Sequence, residues 1–424
     1  MSDNHLSTDP YKGVRDFYPE DMTVQRYIFD VWTKTAESFG YERYDASILE
    51  PSDLYRAKGA LNAEMVNEQT YTFIDRGERE VTLRTEMTPT AARMIAKRRR
   101  ELMFPVRWYS IPNLFRYERP QRGRLREHWQ LNCDLFGVDS LAADVEIIAL
   151  AYQTLINFGA TRDMFVIRVN DRKAMTNLYR DCGVSESDMI AITRLNDRKT
   201  KISTEDYQNE LSSILKDNLL TQTVLEKLNN DTSQESPLLS ALNDLGITNV
   251  VYDKFLARGF DYYTGTIFEI FDTSGTNNRS LMGGGRYDNL TSLFGGEPIP
   301  GVGFGLGDVI MRDFLETHNL LAGKIRLSAP TIVMIPTSEA ENLAAINIAN
   351  SLRAAGFAVR VDIGTKKIGK KISEAALRQS PFIMVVGDKE ISSDIYTIKE
   401  LASGMETSSD LKNLISWLQT KVGS

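Results

Sequence analysis

The sequence is poor in residues that ligate metals or form disulfides: it has two cysteines and three histidines among 424 residues. Cys133 and Cys182 cannot build a disulfide framework or, with so few imidazoles, a structural zinc site. We therefore expect no metal site made of cysteine and histidine side chains.

Long hydrophobic runs are also missing, because no apolar stretch approaches the roughly 20 residues needed to cross a bilayer. Residues 1–10 read MSDNHLSTDP, without the apolar core of a signal peptide or the arginines of a presequence. These absences predict a cytoplasmic protein with no membrane partner. The formal net charge of −7 excludes general attraction to nucleic acid, so any RNA contact requires a local basic patch.

Length and composition predict several domains. The chain is 42% hydrophobic and 25% charged, as in ordinary globular proteins, and 424 residues are too many for one core. Residues 185–243 are polar and helix-prone, which predicts a helical insertion; a structural spacer is the alternative. From Pro330 onward, strand-like and helix-like segments alternate, which predicts an α/β domain with a largely parallel sheet at 330–424.

A basic loop between two apolar stretches is the most informative local feature. Residues 114–137 read LFRYERPQRGRLREHWQLNCDLFG, and strand-like alternation places Arg116 and Glu118 on one face. Pro120 and Gly123 mark a loop from which further arginines reach a polyanion: Arg119, Arg122, Arg124 and Arg126. A nucleotide and a nucleic acid both fit such a clamp, and an exposed charged hairpin without a ligand is the alternative.

Several segments carry a family resemblance. Residues 115–124, FRYERPQRGR, resemble the second signature motif of class II aminoacyl-tRNA synthetases, in the form found in histidyl-tRNA synthetases. Histidine-specific motifs of that family are similar to TLRTEMTPTAAR at 82–93, ARGFDYYTGTIFE at 257–269 and GGGRYDNL at 283–290, in the same order. Residues 41–51 alternate like a strand that ends at Pro51, and an ordinary core strand is one interpretation. The same residues resemble the first class II motif, which forms a homodimer interface in the family.

The resemblance implies an architecture. It implies an α+β catalytic domain at residues 1–325 with a mainly antiparallel sheet, interrupted by the helical insertion at about 185–243. The α/β segment at 330–424 resembles the anticodon-binding domain of the family. A homodimer is implied as well.

The implied reaction joins an amino-acid carboxylate to ATP, which requires fixed cations because charge grows on the α-phosphate between two anions. By resemblance, Arg116 serves the α-phosphate and the carboxylate, Glu118 meets the adenine amino group, and Arg258 takes a role that related enzymes give to a metal. The predicted catalytic residues are Arg258 and Arg116. The predicted ATP-binding residues are Arg116, Glu118, Arg124 and Arg312, and Mg²⁺ is expected to accompany ATP.

Recognition of histidine needs polar groups at both ring nitrogens and an anion for the ammonium group. By resemblance, the histidine-binding residues are Glu86, Met87, Thr88, Gln130, Asp134, Tyr262, Tyr263 and Tyr287. Judged by residue type alone, Tyr262 and Tyr263 suit a hydrophobic core better than a ligand site.

The implied partners are tRNA(His), L-histidine, ATP and a second copy of the chain. The predicted tRNA contacts are Arg119 and Gln121 in the basic loop and Lys366 and Lys367 in the last domain. For the lysines at 366, 367, 370 and 371, a solvated face is the alternative.

Two positions depart from the family pattern. Residues 301–307, GVGFGLG, resemble the glycine-rich half of the third class II motif, which commonly ends in an arginine that contacts the γ-phosphate. Ile310 stands at that position, and the open replacements are Arg312, other arginines or magnesium. Asp134 stands where many members have glutamate, which keeps the charge and shortens the side chain.

Two functions fit the sequence. The first is a histidine–tRNA ligase, and the second is a non-catalytic paralogue that acts as a histidine-sensing regulatory subunit. Loss of the third-motif arginine slightly favours the regulator. Retention of Arg116, Arg258 and a terminal α/β domain strongly favours the enzyme, because a histidine sensor needs neither ATP nor anticodon contacts.

Overall fold

The computed structural model describes residues 6–57, 68–199, 202–230, 236–257, 262–277, 279–325 and 329–422. The chain divides into two compact units, the first ending at Lys324 and the second beginning at Ile325. Each unit has its own hydrophobic core.

The first unit is built on a large sheet that, among the described residues, has nine strands. Eight of them lie side by side in the order β1 (Glu42–Arg43), β5 (Val106–Ser110), β7 (Glu127–Phe136), β12 (Gly301–Gly307), β11 (Ser280–Arg286), β10 (Thr266–Asp272), β8 (Phe165–Asp171) and β9 (Val250–Tyr252), while β6 (Asn113–Phe115) also pairs with β7. The outermost pairs, β1 with β5 and β8 with β9, are parallel, and the others are antiparallel. The predicted mainly antiparallel core sheet is confirmed.

A smaller antiparallel sheet contains β2 (Leu49–Pro51), β4 (Glu80–Leu83) and β3 (Thr72–Ile74), in that order. The segment 41–51, read from its alternation as one strand, is therefore split between two sheets. Side chains take over backbone donors at the break: the Ala46 N–H donates to Asp45 Oδ1 at 2.8 Å and the Leu49 N–H to Ser47 Oγ at 3.2 Å. Such local bonds compete with strand pairing.

Helices cover one face of the large sheet. Residues of α1 (Pro19–Ser38), α4 (Leu141–Phe158) and α10 (Asp308–Thr317) share a core with Leu131, Cys133, Phe304 and other inward residues of the strands. Helix α4 is apolar and long enough to cross a membrane by composition, but half of it is buried inside the protein, as in a core helix. The short α2 (Asp53–Arg56) and α3 (Thr88–Arg98) lie elsewhere, and α3 joins a separate cluster with Phe136, Ile267 and Tyr287.

A helical segment follows β8. It comprises α5 (Arg172–Asp181), α6 (Glu186–Asp197), α7 (Thr204–Leu215), α8 (Asn218–Asn230) and α9 (Pro237–Asp244). Buried residues from Met175 to Leu228 form a core of their own, whereas Leu239 and Leu242 of α9 pack into the main core. Short 3₁₀ turns occur at Arg162–Met164 and Leu290–Phe294.

The second unit contains β13 (Ile332–Pro336), a 3₁₀ turn (Glu339–Glu341), α11 (Asn342–Ala354), β14 (Val359–Val361), α12 (Ile368–Leu377), β15 (Phe382–Val386), α13 (Asp388–Ser393), β16 (Tyr396–Glu400), β17 (Glu406–Ser409) and α14 (Leu411–Val422). The sheet order is β14-β13-β15-β16-β17. The predicted α/β fold is confirmed, but only β14, β13 and β15 are mutually parallel, while β16 and β17 add antiparallel pairs. These last strands are largely polar and gave no strand signal.

Candidate functional site

A stripe of polar side chains on β7 marks the candidate site. Successive strand residues point to opposite faces, so Gln130, Asn132 and Asp134 share one face while Leu131 and Cys133 enter the main core. Gln130 Nε2 donates to Asn132 Oδ1 at 3.0 Å. The stripe is therefore ordered by its own hydrogen bonds as well as by the strand.

Glycines lie beside this stripe on β12, and further glycines follow on β11, the next strand of the sheet. In the strand register, Gly303 faces Asp134 and Gly305 faces Asn132. A Cβ atom at Gly303 would lie 2.5 Å from Asp134 Oδ1, and one at Gly305 would collide with Gln130 Nε2. The side chains of the stripe thus occupy the space into which a side chain at Gly303 or Gly305 would project. We call this surface the glycine floor: Gly283, Gly285, Gly303 and Gly305.

Asp134 is the buried carboxyl group of the floor, with 1% of its surface exposed. Its Oδ1 accepts a hydrogen bond from the Tyr287 hydroxyl, while its Oδ2 makes no hydrogen bond of normal geometry among the described residues, although the Tyr44 hydroxyl lies near the carboxyl group. Burial raises the pKa of Asp134 to about 7, with the hydroxyls of Tyr287 and Tyr44 opposing the shift. A polar ligand that donates to Oδ2 would satisfy an otherwise costly buried oxygen.

Three tyrosines wall the space above Asp134. The ring centroid of Tyr262 lies 4.7 Å from that of Tyr263 and 5.7 Å from that of Tyr287. All three rings are buried in the cluster that contains α3. The Tyr262 hydroxyl donates to Glu86 Oε2 at 3.1 Å. All three rings belong to a buried core cluster, and the hydroxyls of Tyr262 and Tyr287 donate to carboxylates. The assignment of the tyrosines to a histidine pocket stays a prediction. Arg258 lies outside the described residues.

The loop that leads into α3 joins the tyrosine wall to the basic loop. Glu86, Met87 and Thr88 are all buried. The Thr85 carbonyl accepts a hydrogen bond from Arg116 Nε at 2.9 Å. This contact fixes the guanidinium of Arg116 beside the loop that contains Glu86.

Arg116 and Glu118 lie beyond the end of β6 rather than on one strand face, as their alternation had predicted. The Glu118 N–H donates to the Arg116 carbonyl at 2.7 Å, which turns the chain sharply. Burial lowers the pKa of the Arg116 guanidinium, and the carboxylates of Glu118 and Glu86 oppose the shift. Glu118 also pairs with the Arg124 Nε, while its Oε1 has no partner among the described residues. The structure thus brings together Arg116, Glu118 and Arg124.

The other arginines of the basic loop have different environments. Arg126 is buried, donates from Nε to the Glu118 carbonyl at 3.1 Å and stacks on Tyr117, so it supports the loop instead of reaching a polyanion as predicted. Arg122 pairs with Asp313 at 2.8 Å. Arg119 and Gln121 are exposed.

The third-motif region is packed by an apolar side chain. Ile310 is buried, and a Cβ atom at Gly123 would lie 2.8 Å from Ile310 Cδ1, so this isoleucine lies directly against the basic loop. Arg312 is tied to Asp21 at 3.0 Å and to Glu316 at 2.8 Å. Its proposed contact with ATP stays a prediction.

The four lysines at 366, 367, 370 and 371 do not form a single exposed basic patch. Lys366 Nζ binds Glu374 Oε1 at 2.6 Å, and Lys371 is buried with its Nζ donating to the Asp362 carbonyl at 2.8 Å. Lys367 and Lys370 are exposed. The predicted RNA contacts of Lys366 and Lys367 remain predictions.

Two residues near the site were missed by motif reading. Arg15, in the loop before α1, pairs with Asp308 at 2.7 Å across 293 residues of sequence, a separation that no local pattern reveals. His128 lies on β7 between the polar stripe and the basic loop. Desolvation and the charges of Arg116, Arg15 and Arg124 lower the pKa of His128 to about 3, so its imidazole is neutral at pH 7.

Within the part of the chain that the structure describes, no group of three His, Cys, Asp or Glu side chains is placed to hold a metal ion. Arginines and single carboxylates supply the charges of the site.

Comparisons with known proteins cover most of both units of the chain. A family model described as histidyl-tRNA synthetase matches residues 13–307, and one described as an anticodon binding domain matches residues 331–421. The histidine–tRNA ligase of Leptospira biflexa is 43% identical over an alignment that covers 95% of this chain and 95% of that protein.

Solved structures share the fold. The histidyl-tRNA synthetase of Nostoc sp. PCC 7120 superposes with a TM-score of 0.76 at 22% identity and covers 98% of this chain and 100% of that one. An ATP phosphoribosyltransferase regulatory subunit/histidyl-tRNA synthetase from Bacillus halodurans C superposes at 0.66 and 23% identity, covering 90% and 98%. Fold alone therefore does not separate enzyme from regulator. The family model spans more than half of the chain and the Leptospira relative nearly all of it, so the chain belongs to the histidyl-tRNA synthetase family.

Proposed function

We propose that the chain is a histidine–tRNA ligase. It activates L-histidine with ATP to histidyl-adenylate and pyrophosphate, then transfers histidine to the 3′ end of tRNA(His). The observation that carries this proposal is a series of contacts that joins a buried carboxyl group, Asp134, to Arg116. Tyr287 donates to Asp134, Tyr262 packs against Tyr287 and donates to Glu86, and the Glu86 carboxylate lies close enough to Arg116 to act on its pKa. Identity with relatives named as ligases supports it further.

The floor and the tyrosine wall fit the amino acid. The glycine floor lets Asp134, Gln130, Tyr263 and Tyr287 lie close against the strands, and these polar and aromatic groups are the kind that a flat, nitrogen-containing ring requires. Asp134 Oδ2 accepts a ring or ammonium N–H, Gln130 supplies an amide, and Glu86 faces the site together with the Tyr262 hydroxyl. We assign Met87, Thr88, Tyr263 and Tyr287 to the same pocket as its walls.

The basic loop fits the nucleotide. Glu118 Oε1 is a buried acceptor suited to the adenine amino group, and Arg124 is held beside it by their ion pair. Arg116 holds the α-phosphate next to the histidine carboxylate, because a guanidinium presents several donors in one plane and stays charged. Arg258, by family resemblance, flanks the same phosphate.

The chemistry is two displacements. A histidine carboxylate oxygen attacks the α-phosphorus, the bond from that phosphorus to the bridging oxygen breaks, and pyrophosphate leaves. A terminal ribose hydroxyl of the tRNA then attacks the acyl carbon, and AMP leaves. Fixed guanidinium groups stabilise the charge that grows on the α-phosphate, and positioning supplies much of the rest.

Further partners complete the proposal. Mg²⁺ accompanies ATP on its phosphate oxygens, and Arg119 and Gln121, exposed in the basic loop, meet the acceptor end of the tRNA. Lys366 and Lys367 contact RNA through the second unit. A cytoplasmic homodimer is the proposed working form, with residues 41–51 in its interface.

The deciding experiment is histidine-dependent exchange of labelled pyrophosphate into ATP, followed by charging of a tRNA(His) transcript. A ligase performs both reactions. Histidine binding without exchange would instead assign the chain to the regulatory paralogues, the second candidate, for which the apolar Ile310 is the one supporting observation.

The glycine floor provides a specific prediction. In Gly305→Ala the new methyl group displaces the Gln130 side chain, and we expect kcat/KM for histidine in the exchange assay to fall about 5- to 100-fold, the equivalent of one lost hydrogen bond. Gly307→Ala is the matched control on the same strand, because its Cβ meets only ordinary contacts at 3.8 and 3.9 Å and should change this value much less. Equal losses in both variants would contradict the assignment of Gln130.

A further inference from the structure

Arg15 is held rigidly next to the candidate active site. Its Nη2 lies 2.7 Å from Asp308 Oδ2; the arginine side chain is 21% exposed and the aspartate 1%. Its guanidinium also lies 4.8 Å from the ring centroid of Phe17. An ion pair and a ring thus fix one orientation of this side chain.

The loop that contains Arg15 is joined directly to the basic loop. The backbone N–H of Arg126 donates to the Gly13 carbonyl at 2.7 Å, and the backbone N–H of Arg116 donates to the Arg126 carbonyl at 2.9 Å. These two bonds place the chain at Gly13 beside the chain at Arg116. Arg15 follows two residues later.

The other side of Arg15 is joined to the end of β7. Asp308 Oδ1 accepts the Trp129 N–H at 2.9 Å, and Trp129 follows His128 in the chain. The charges of three guanidinium groups, those of Arg116, Arg15 and Arg124, lower the pKa of the His128 imidazole, so all three lie near it. Arg15 and Arg124 are each paired with a carboxylate, Asp308 and Glu118, which allows the guanidinium groups to lie near one another. A polyanion bound beside His128 would be within reach of the field of all three.

Arg15 keeps hydrogen-bonding capacity for a ligand. Its Nε is buried and has no partner among the described residues. Asp308 accepts two further hydrogen bonds, from Gln25 Nε2 at 3.2 Å and from the Trp129 N–H, so the carboxylate is satisfied from several sides. The pair therefore orients the guanidinium without using all of its donors.

We propose that Arg15 binds the triphosphate of ATP as a third arginine beside Arg116 and Arg124, with Asp308 as its positioning residue. The proposal rests on the ligase function proposed above. It explains how positive charge reaches the phosphates although Ile310 contributes an apolar side chain to the third-motif region. A guanidinium suits this task because it binds phosphate oxygens with two parallel donors.

The test uses the full chain and compares Arg15→Met, Arg15→Lys and wild type in pyrophosphate exchange. Arg15→Met should raise the KM for ATP about 10- to 100-fold, the value of a hydrogen bond to a charged group, and change the KM for histidine less than about threefold. Arg15→Lys should recover part of the loss, because the charge remains and the fork does not. Arg107→Met is the matched control, since it breaks a similar half-buried pair, with Glu146, and should lower the melting temperature without raising the KM for ATP.

Other results would overturn the proposal. An unchanged KM for ATP in Arg15→Met, or equal losses for ATP and histidine together with a lower melting temperature, would make the pair purely structural. A rise only in the KM for tRNA during charging would assign Arg15 to the acceptor end, and a loss in Arg312→Met but not in Arg15→Met would restore the sequence-based choice. Calorimetry separates the two proposals: a wild-type chain that binds ATP without exchange overturns the ligase function, and Arg15 is then judged on the Kd for ATP.

Discussion

Replacing Arg116 by methionine should reduce the kcat of histidine-dependent pyrophosphate exchange about 10³-fold, which is the upper range for removing one preorganised donor from a charge-stabilising site. The guanidinium is held by the Thr85 carbonyl at 2.9 Å and lies near the carboxylates of Glu118 and Glu86. Methionine fills similar volume but cannot stabilise charge growing on the α-phosphate. Arg116→Lys should recover only part of the activity, because an ammonium group lacks the planar fork.

The control for Arg116 is Arg168 on β8, an arginine with no proposed role in the candidate site. Arg168 pairs with Asp253 at 3.2 Å and stacks on Phe271. Arg168→Met should lower the melting temperature and leave kcat within about threefold, since a partly exposed pair contributes about 1 kcal/mol or less. If Arg116→Met lost stability but kept at least a tenth of the exchange rate, the guanidinium would be structural and not catalytic.

The second large effect is expected at Asp134. Asp134→Asn should lower kcat/KM for histidine about 10²- to 10³-fold, because a site built to hydrogen-bond a substrate loses both a charged acceptor and the pairing of the substrate donor. The matched comparison is Asn132→Asp, two residues along the same strand face. This variant adds a carboxylate to the face while the Asp134 acceptor stays in place. Recovery of wild-type kcat/KM in Asp134→Asn would exclude Asp134 as the acceptor.

The pH profile gives a second readout of the Asp134 substitution. Since the pKa of Asp134 is raised to about 7, the unliganded protein carries this group protonated below that pH and ionised above it. If the carboxylate accepts the histidine N–H, kcat/KM for histidine rises with pH up to about 7 and then levels, because kcat/KM reports the free enzyme. In Asp134→Asn only the titration of the substrate imidazole, near pH 6.5, should remain. The profile for ATP serves as the internal control.

The candidate site residues are assigned from motif resemblance, and local periodicity accounts for part of their placement. Alternation along β7 is enough to place Gln130 and Asp134 on one face, and the spacing of glycines in GVGFGLG is the period of a strand with one bare face. What alternation could not show is that these two strands are neighbours in register. Antiparallel pairing of Asp134 with Gly303 joins positions far apart in the chain.

Elsewhere the prediction failed for identifiable reasons. Arg116 and Glu118 alternate like strand residues, but a tight backbone bond between them ends the strand at Phe115. Asp45 and Ser47 break the first-motif segment through side-chain bonds to the backbone. The pair of Arg15 with Asp308 depends on tertiary contact alone, so no window of sequence contains its signal.

Because one face of β12 carries only glycines, histidine binding in the proposed pocket depends on the correct alignment of β12 with β7. The residues between its glycines are Val302, Phe304 and Leu306, all of which are buried in the main core. Slipping β12 by one position against β7 would turn these three bulky side chains up into the pocket and the glycines down into the core. With the histidine pocket as proposed, a molecule in that misaligned state could not admit an imidazole ring, so histidine would stabilise only the correctly paired sheet.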